Sequence, residues 1–373
     1  MIKLQQYFNK RDNVINQKRK FILSLFLFIQ YTYASNYSST GYIEAYSDKL
    51  SFDIFDEKWE QLPNHNKSNN AFGTIYYDIA YKNNKYLKFG IFREQTLDII
   101  INDGFIKTWY NSSNDFNTLL RKSNIKDDLD TINIYGYANM YDSDGLYLEK
   151  SININSNSMI SFKTKFYHGK ELQYLETKGY NNKNRFELDL DLYYSTQNIV
   201  TKNEDHDNNF NGYGYGFDIE YNYNVNKWDI YLAVLNIGAK IKWNSITHMY
   251  YKFDSQTVYT GEDGYDHAKA FGNGYYKYDT TYTQKLPLRY KADIKYLIFD
   301  NIYLGDSVIA NNYSSFNEIY TKYLYANQQY KFGYFIENKL ANFGFGYKNF
   351  IIEISNKFGS NNKLINLKYK ISF

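Results

Sequence analysis

The side chains in this sequence that could do chemistry are few and scattered. His65, His168, His206, His248 and His267 are the only histidines, and all except His248 lie in stretches that read as turns or loops. Serine hydrolysis needs Ser, His and an acid brought together, and no G-x-S-x-G elbow occurs. The absence of Cys removes disulfides, thiolate metal sites and thiol nucleophiles. DSDG at 142–145 resembles half of a calcium loop but lacks the further carboxylates and the distant Glu, so a tight hairpin is the better reading. EDHD at 204–207 could hold a divalent ion, but a solvated loop is favoured. No catalytic, cofactor-binding or metal residue is assigned, and the chain is not expected to be an enzyme.

A second group of acids is set in a strict pattern. In GYGYGFDIEYNYNV, 212–225, the aromatic and aliphatic residues Tyr213, Tyr215, Phe217, Ile219, Tyr221, Tyr223 and Val225 alternate with Gly, Asp, Glu and Asn. RFELDLDLYY, 185–194, repeats the pattern, with Phe186, Leu188, Leu190 and Leu192 against Glu187, Asp189 and Asp191. Alternation of period two is the mark of a strand with one apolar and one polar face. Asp189, Asp191, Asp218 and Glu220 then share the polar faces. If the apolar faces meet lipid, these four line a lumen and favour cations, with Lys88, Lys368 and Lys370 as opposing charges. Gly214, Gly216, Gly344 and Gly346 fall on the same inward side, which implies either space or close approach of an inner segment.

The elements that carry these faces are spread through the chain. Shorter alternations recur in TIYYDIAY (74–81), KWDIYLAV (227–234) and NFGFGYK (342–348). Brief polar breaks at 83–85, 225–227, 299–301 and 326–329 read as turns, and longer ones at 196–210 and 261–287 as loops. Short turns at one rim and long loops at the other fit a transmembrane barrel. Read literally, the pattern contains up to twenty strands, with 228–235, 238–243 and 246–259 as separate ones. About sixteen are expected, within a range of 14–20. Residues 95–129 fit worst; NDFNTLLRKSNI at 114–125 reads as a short capped helix, in a linker at the rim or a segment folded into the lumen.

Bulk properties narrow the class. Among 373 residues, 44 are Tyr and 27 Phe, an aromatic share of 20%. Asn, Lys and Ile are also abundant, as AT-rich coding would produce, so the placement of the aromatics matters more than their number. Tyr and Trp settle at membrane interfaces, and Trp228 and Trp243 are placed as girdle residues. A mean hydropathy of −0.63 excludes a helical membrane protein but not a barrel, in which only alternate residues face lipid. Residues 1–34 read as a secretory signal: Lys18, Arg19 and Lys20 precede the apolar run 21–29, and Ala34 follows at a cleavage-like position. Removing that segment takes away six basic residues and one acid, leaving 37 basic against 39 acidic residues. No basic stripe for nucleic acid remains. Residues 35–373 are expected to form one domain.

The sequence ends LINLKYKISF, with Ile365, Leu367, Tyr369, Ile371 and Phe373 on one side of a strand. Closure of a barrel requires the last strand to pair with the first, because no edge can be left in lipid. This segment resembles the C-terminal assembly signal of Gram-negative outer-membrane β-barrel proteins, in which a final Phe follows apolar residues at every second position. The resemblance implies an all-β, antiparallel transmembrane barrel in the bacterial outer membrane, with outer-membrane lipid, lipopolysaccharide and the barrel assembly machinery as partners. The leading expectation for function is a passive pore for small polar solutes. The alternative is a filled barrel that acts as a surface scaffold or adhesion protein through its long loops. A secreted all-β binding protein is the third class.

Overall fold

The computed structural model describes residues 37–47, 69–84, 86–111, 132–182, 185–196, 210–260, 266–336, 339–348, 350–356 and 363–372. The leader at 1–34, the helix expected at 114–125, the EDHD segment and Phe373 lie outside these residues. The described chain is almost wholly strand. The elements are β1 (Tyr37–Ser47), β2 (Asn69–Asn84), β3 (Leu87–Ile101), helix α1 (Asp103–Asn111), β4 (Ile132–Asn155), β5 (Ser158–Asn182), β6 (Arg185–Tyr194) and β7 (Asn211–Val225). Then follow β8 (Trp228–Thr260), β9 (Asp266–Lys285), β10 (Arg289–Phe299), β11 (Ile302–Asn311), β12 (Ser315–Tyr325), β13 (Gln328–Phe335), β14 (Leu340–Tyr347), β15 (Phe350–Asn356) and β16 (Lys363–Ser372).

All pairings are antiparallel, and they close into a ring. β16 pairs with β1 from Ser38↔Ser372 to Glu44↔Asn366. At the other seam β8 pairs with β10 from Leu235↔Arg289 to Trp228↔Tyr296. The sixteen strands fill fourteen wall positions, because two positions each hold two collinear strands. β6 pairs with Gln173–Asn182 of β5, and β7 with Ser158–Gly169 of the same strand. β9 and β10 run successively down β8, with a break at Leu286–Leu288 that contains Pro287. The loop expected at 261–287 is therefore mostly strand, its alternation hidden among Gly, Asp and Thr.

Short turns gather at one rim. Asn226, Asn301, Ala326 and Lys348 have φ of 51°, 73°, 51° and 54° at the β7–β8, β10–β11, β12–β13 and β14–β15 turns, the positive φ that two-residue hairpin loops require. The three strands expected between 228 and 259 are one 33-residue strand. It is bent at Asn236, Gly238 and Ser245, all with positive φ, where bulges shift its register against β7 and β9. Each bulge changes which parity faces inward, so a reading by fixed alternation breaks the strand there. Similarly, DSDG is not a hairpin but the middle of β4, and residues 95–101 belong to β3.

The walls differ in height. β11 to β15 have seven to eleven residues, close to the ~9–11 that a tilted strand needs to cross a bilayer. β4, β5 and β8 have 24, 25 and 33. β11 ends at Asn311, opposite Arg289. Above that level β9 pairs with β8 alone among the described strands, so one side of the barrel stands well above the rest. Helix α1 is capped by Asn102, whose Oδ1 accepts from the Phe105 amide at 2.8 Å. Its Phe105 and Ile106 pack with Ala71, Ile99 and Ile101, which lie on the outward side of β2 and β3. The helix thus rests on the outside of the wall, not in the lumen.

Candidate functional site

The outward face is apolar over the ring: Phe89, Ile91, Leu146, Phe166, Phe217, Phe332, Phe343 and Ile354 are all exposed. The inward face is the reverse. Glu44, Asp78, Glu94, Asp98, Lys165, Asp218, Arg289, Glu318 and Glu353 are buried there. Buried charges persist only when paired and hydrogen-bonded, and these are. Lys165 bridges Glu94 at 3.2 Å and Asp218 at 2.8 Å, and Tyr141 donates to Glu94 at 2.6 Å. Lys331 joins Glu318 at 2.7 Å and Glu353 at 3.0 Å; Asn342 donates to the same two carboxylates.

Several contacts cross the lumen. Lys291 of β10 meets Glu44 of β1 at 2.6 Å, and these strands are seven wall positions apart in either direction around the fourteen. Arg289 reaches Asp98 of β3 at 3.2 Å and also bonds Thr74. Asn311 of β11 donates to Asp98 at 3.0 Å. Phe72 of β2 packs edge-on against Phe316 of β12, with Tyr46 of β1 beside both. A round ring of fourteen strands, spaced about 4.8 Å and tilted about 40°, has a backbone diameter of roughly 28 Å. A Lys–Glu contact spans at most about 14 Å between Cα atoms. The ring is therefore flattened, and its opposed walls meet through side chains.

The four acids expected in the lumen divide into two pairs. Asp218 is buried beside Lys165 and accepts from the Asn236 amide at 2.8 Å. Glu220 faces Lys163 at 3.9 Å and accepts from the Tyr231 hydroxyl. Asp189 and Asp191 stand on β6, above β7, where the wall rises past the ring. There Asp191 meets His248 Nε2 at 2.6 Å, and the His248 ring stacks on Tyr193 at 4.1 Å. Tyr193 also stacks on Tyr282, at 4.2 Å. Tyr174, beside this stack, donates from its hydroxyl to Glu176 at 3.2 Å. His168 is in the middle of β5 rather than in a loop, against Tyr213.

Other expectations need correction. Trp228 is exposed on the outer face, but Trp243 is fully buried, donating from Nε1 to Gln284 at 2.9 Å. It shares a face with Ala239 and Ile241, opposite the exposed Lys240 and Lys242, and that face is the inward one; the two bulges at Asn236 and Gly238 cancel, leaving Val234 and Lys240 both on the outward side. The inward glycines do not leave room. A Cβ on Gly216 would lie 2.6 Å from that of Ala239, and ones on Gly344 and Gly346 would meet the side chains of Lys331 and Gln329. Of the expected opposing charges, Lys88 pairs with Glu149. β16 takes the closing position, paired with β15 on one side and β1 on the other. What sequence reasoning missed is Arg289, Lys291 and Asp98, whose partners are about 190 or more residues away and carry no local signal.

Fold and interior together define a closed antiparallel β-barrel with an interior crossed by ion pairs and aromatic rings. No protein-family model matches the sequence, and no curated protein matches it. Among solved structures, the outer membrane protease OmpT of Escherichia coli aligns over 92% of this chain and 99% of its own, at 7% identity and a TM-score of 0.29. The Ralstonia pickettii toluene transporter TbuX aligns over 92% and 90%, at 8% identity and 0.32. The translocator domain of the autotransporter NalP from Neisseria meningitidis aligns over 96% of each chain, at 9% identity and 0.27. These overlaps are loose; the barrel assignment rests on the closed register.

Proposed function

We propose that the chain is a bacterial outer-membrane barrel with its lumen shut, acting at the cell surface through its taller wall as a scaffold or adhesion protein. The closed ring, the apolar outer face and strands of bilayer-crossing length support the membrane placement. In this reading residues 1–34 direct export, LINLKYKISF is read by the barrel assembly machinery, and lipid and lipopolysaccharide surround the wall. The observation that carries the shut lumen is the contact of Lys291 with Glu44, from opposite sides of the ring. The test is conductance of the folded protein in a planar bilayer. Insertion without current is the expected result; steady discrete steps would refute the shut lumen.

One observation favours a second reading, a passive pore for small polar solutes. The lumen carries charged side chains beside its aromatic ones, and the buried Nε of Arg289 has no hydrogen-bond partner, a donor that water or a polar solute would satisfy. In that case the crossing pairs hold a closed state. Glu44→Gln would then convert a silent bilayer into a conducting one.

A further inference from the structure

The raised wall ends in an open strand edge. Above the level of Asn311 and Arg289, β9 pairs with β8 alone among the described strands. Residues 272–279 are exposed one after another, on both faces of the strand. An edge of this kind is a template for pairing with another chain, and proteins blunt such edges with lysine, proline or a bulge. Here the blunting lies below the exposed stretch. Asp279, with a φ of 52°, ends it, the register against β8 shifts between His248 and Ile246, and Pro287 follows further down. Within the stretch Lys277 is the one lysine.

The stretch is also complementary to itself. Paired antiparallel with a second copy about Tyr275, it sets Gly272 opposite Tyr278, Asn273 opposite Lys277 and Gly274 opposite Tyr276. No like charges oppose each other in that register, whereas centring on Lys277 would oppose two lysines, which is destabilising. Glycine opposite tyrosine is a pairing this wall already uses, at Gly90 with Tyr147, Gly305 with Tyr320 and Gly274 with Tyr251. In each case the ring lies where a glycine Cβ would be. The Tyr251 ring thus crosses Gly274 toward the open edge, and Phe253 lies close to Gly272. A second copy's Tyr276 and Tyr278 would come to rest beside these two rings.

We infer that β9 is a homotypic adhesion strand: residues 272–278 pair antiparallel with the same residues of a second copy seated in a facing membrane. Symmetry sets the facing arrangement. In a parallel pair the bonding residues of the two strands are staggered by one residue, which a two-fold axis cannot produce, so an edge that pairs with its own copy does so antiparallel. The axis is then normal to the sheet. Because the wall stands upright on the bilayer, that axis turns the second barrel upside down. Two copies in one membrane cannot meet in this way; copies on two cells can. Tyr275 lies ten residues before Lys285, roughly 30 Å along the strand, which holds the axis clear of both rims. Seven paired residues make a small contact, weak on its own, but many such contacts between two surfaces add avidity. This inference rests on the outer-membrane reading above and names the partner of its adhesion role.

The test uses the whole protein in two vesicle populations that carry different dyes. Insertion is measured by flotation and clustering by two-colour particle counting. Wild type is expected to float and to cluster. Asn273→Lys creates two lysine–lysine pairs in each contact and is expected to lose clustering by about tenfold. Asn273→Glu/Lys277→Glu creates two glutamate pairs and is expected to lose as much. Mixed together, the two variants present opposite charges at both positions, and clustering returns between unlike vesicles only. Asn273→Glu alone faces Lys277 of the second copy and is expected to strengthen clustering about tenfold; it serves if either of the other variants fails to float. A floating wild type that stays dispersed, floating variants that cluster as wild type does, or a mixture that stays dispersed overturns the inference and leaves the membrane reading standing. A wild type that does not float overturns both.

Discussion

Asp98→Asn separates a packed lumen from a watery one. The Arg289 and Asp98 side chains are 5% and 1% exposed and meet at 3.2 Å. Removing one partner of such a pair leaves a buried, uncompensated charge and costs about 3–5 kcal/mol. Asp98 also accepts from Asn311, at 3.0 Å, so the cost belongs to the upper part of that range. If the lumen instead held bulk water, the same pair would be solvated and its loss would cost about 0–1 kcal/mol. The two outcomes differ by a factor on the order of a hundred or more in the folding equilibrium. Denaturant unfolding of the barrel in lipid vesicles, followed by tryptophan emission, reads the difference. Arg289→Met tests the same pair from the other side. The double variant Asp98→Asn/Arg289→Met is expected to regain most of the loss, since a buried ion pair replaced by neutral side chains is often tolerated. A loss below about 1 kcal/mol, with no recovery in the double variant, would refute the claim that these walls are in contact.

Two further outcomes follow from the geometry. Trp228 and Trp243, both read from sequence as girdle residues, should behave oppositely toward quenchers carried on lipid chains: a Trp243→Phe protein, which keeps Trp228, loses a larger fraction of its emission than a Trp228→Phe protein, which keeps the buried ring. Gly214→Ala would place a Cβ 2.1 Å from the Lys240 carbonyl, a backbone clash that only a shift of β7 against β8 can relieve, so a destabilisation of about 1–3 kcal/mol is expected in the same unfolding assay.

Much of the architecture was legible in the sequence because sheet alternation is local. The faces of β6 and β7, the short turns and the strand at 363–372 follow from residue order alone, since side chains in a strand alternate whatever the strand pairs with. So does the inward direction of Asp218 and Glu220. Bulges erase that legibility. At Asn236, Gly238 and Ser245 residues in the left-handed region interrupt the alternation, so β8 reads as three strands; within the middle piece alternation groups Trp243 with Ala239 and Ile241 but does not say that this face is the buried one. The division of Asp189 and Asp191 from Asp218 and Glu220 is a second case. All four share one pattern, but β6 stacks on β7 along β5 instead of standing beside it, and only the pairing of distant strands decides that. The same holds for the interior. Residue order alone sets a wall whose outer face is apolar and whose inner face mixes charged and aromatic side chains. Whether the charged face encloses water or meets its opposite depends on Arg289, Lys291, Asp98 and Glu44 coming together across the ring, a contact between residues that no local pattern connects.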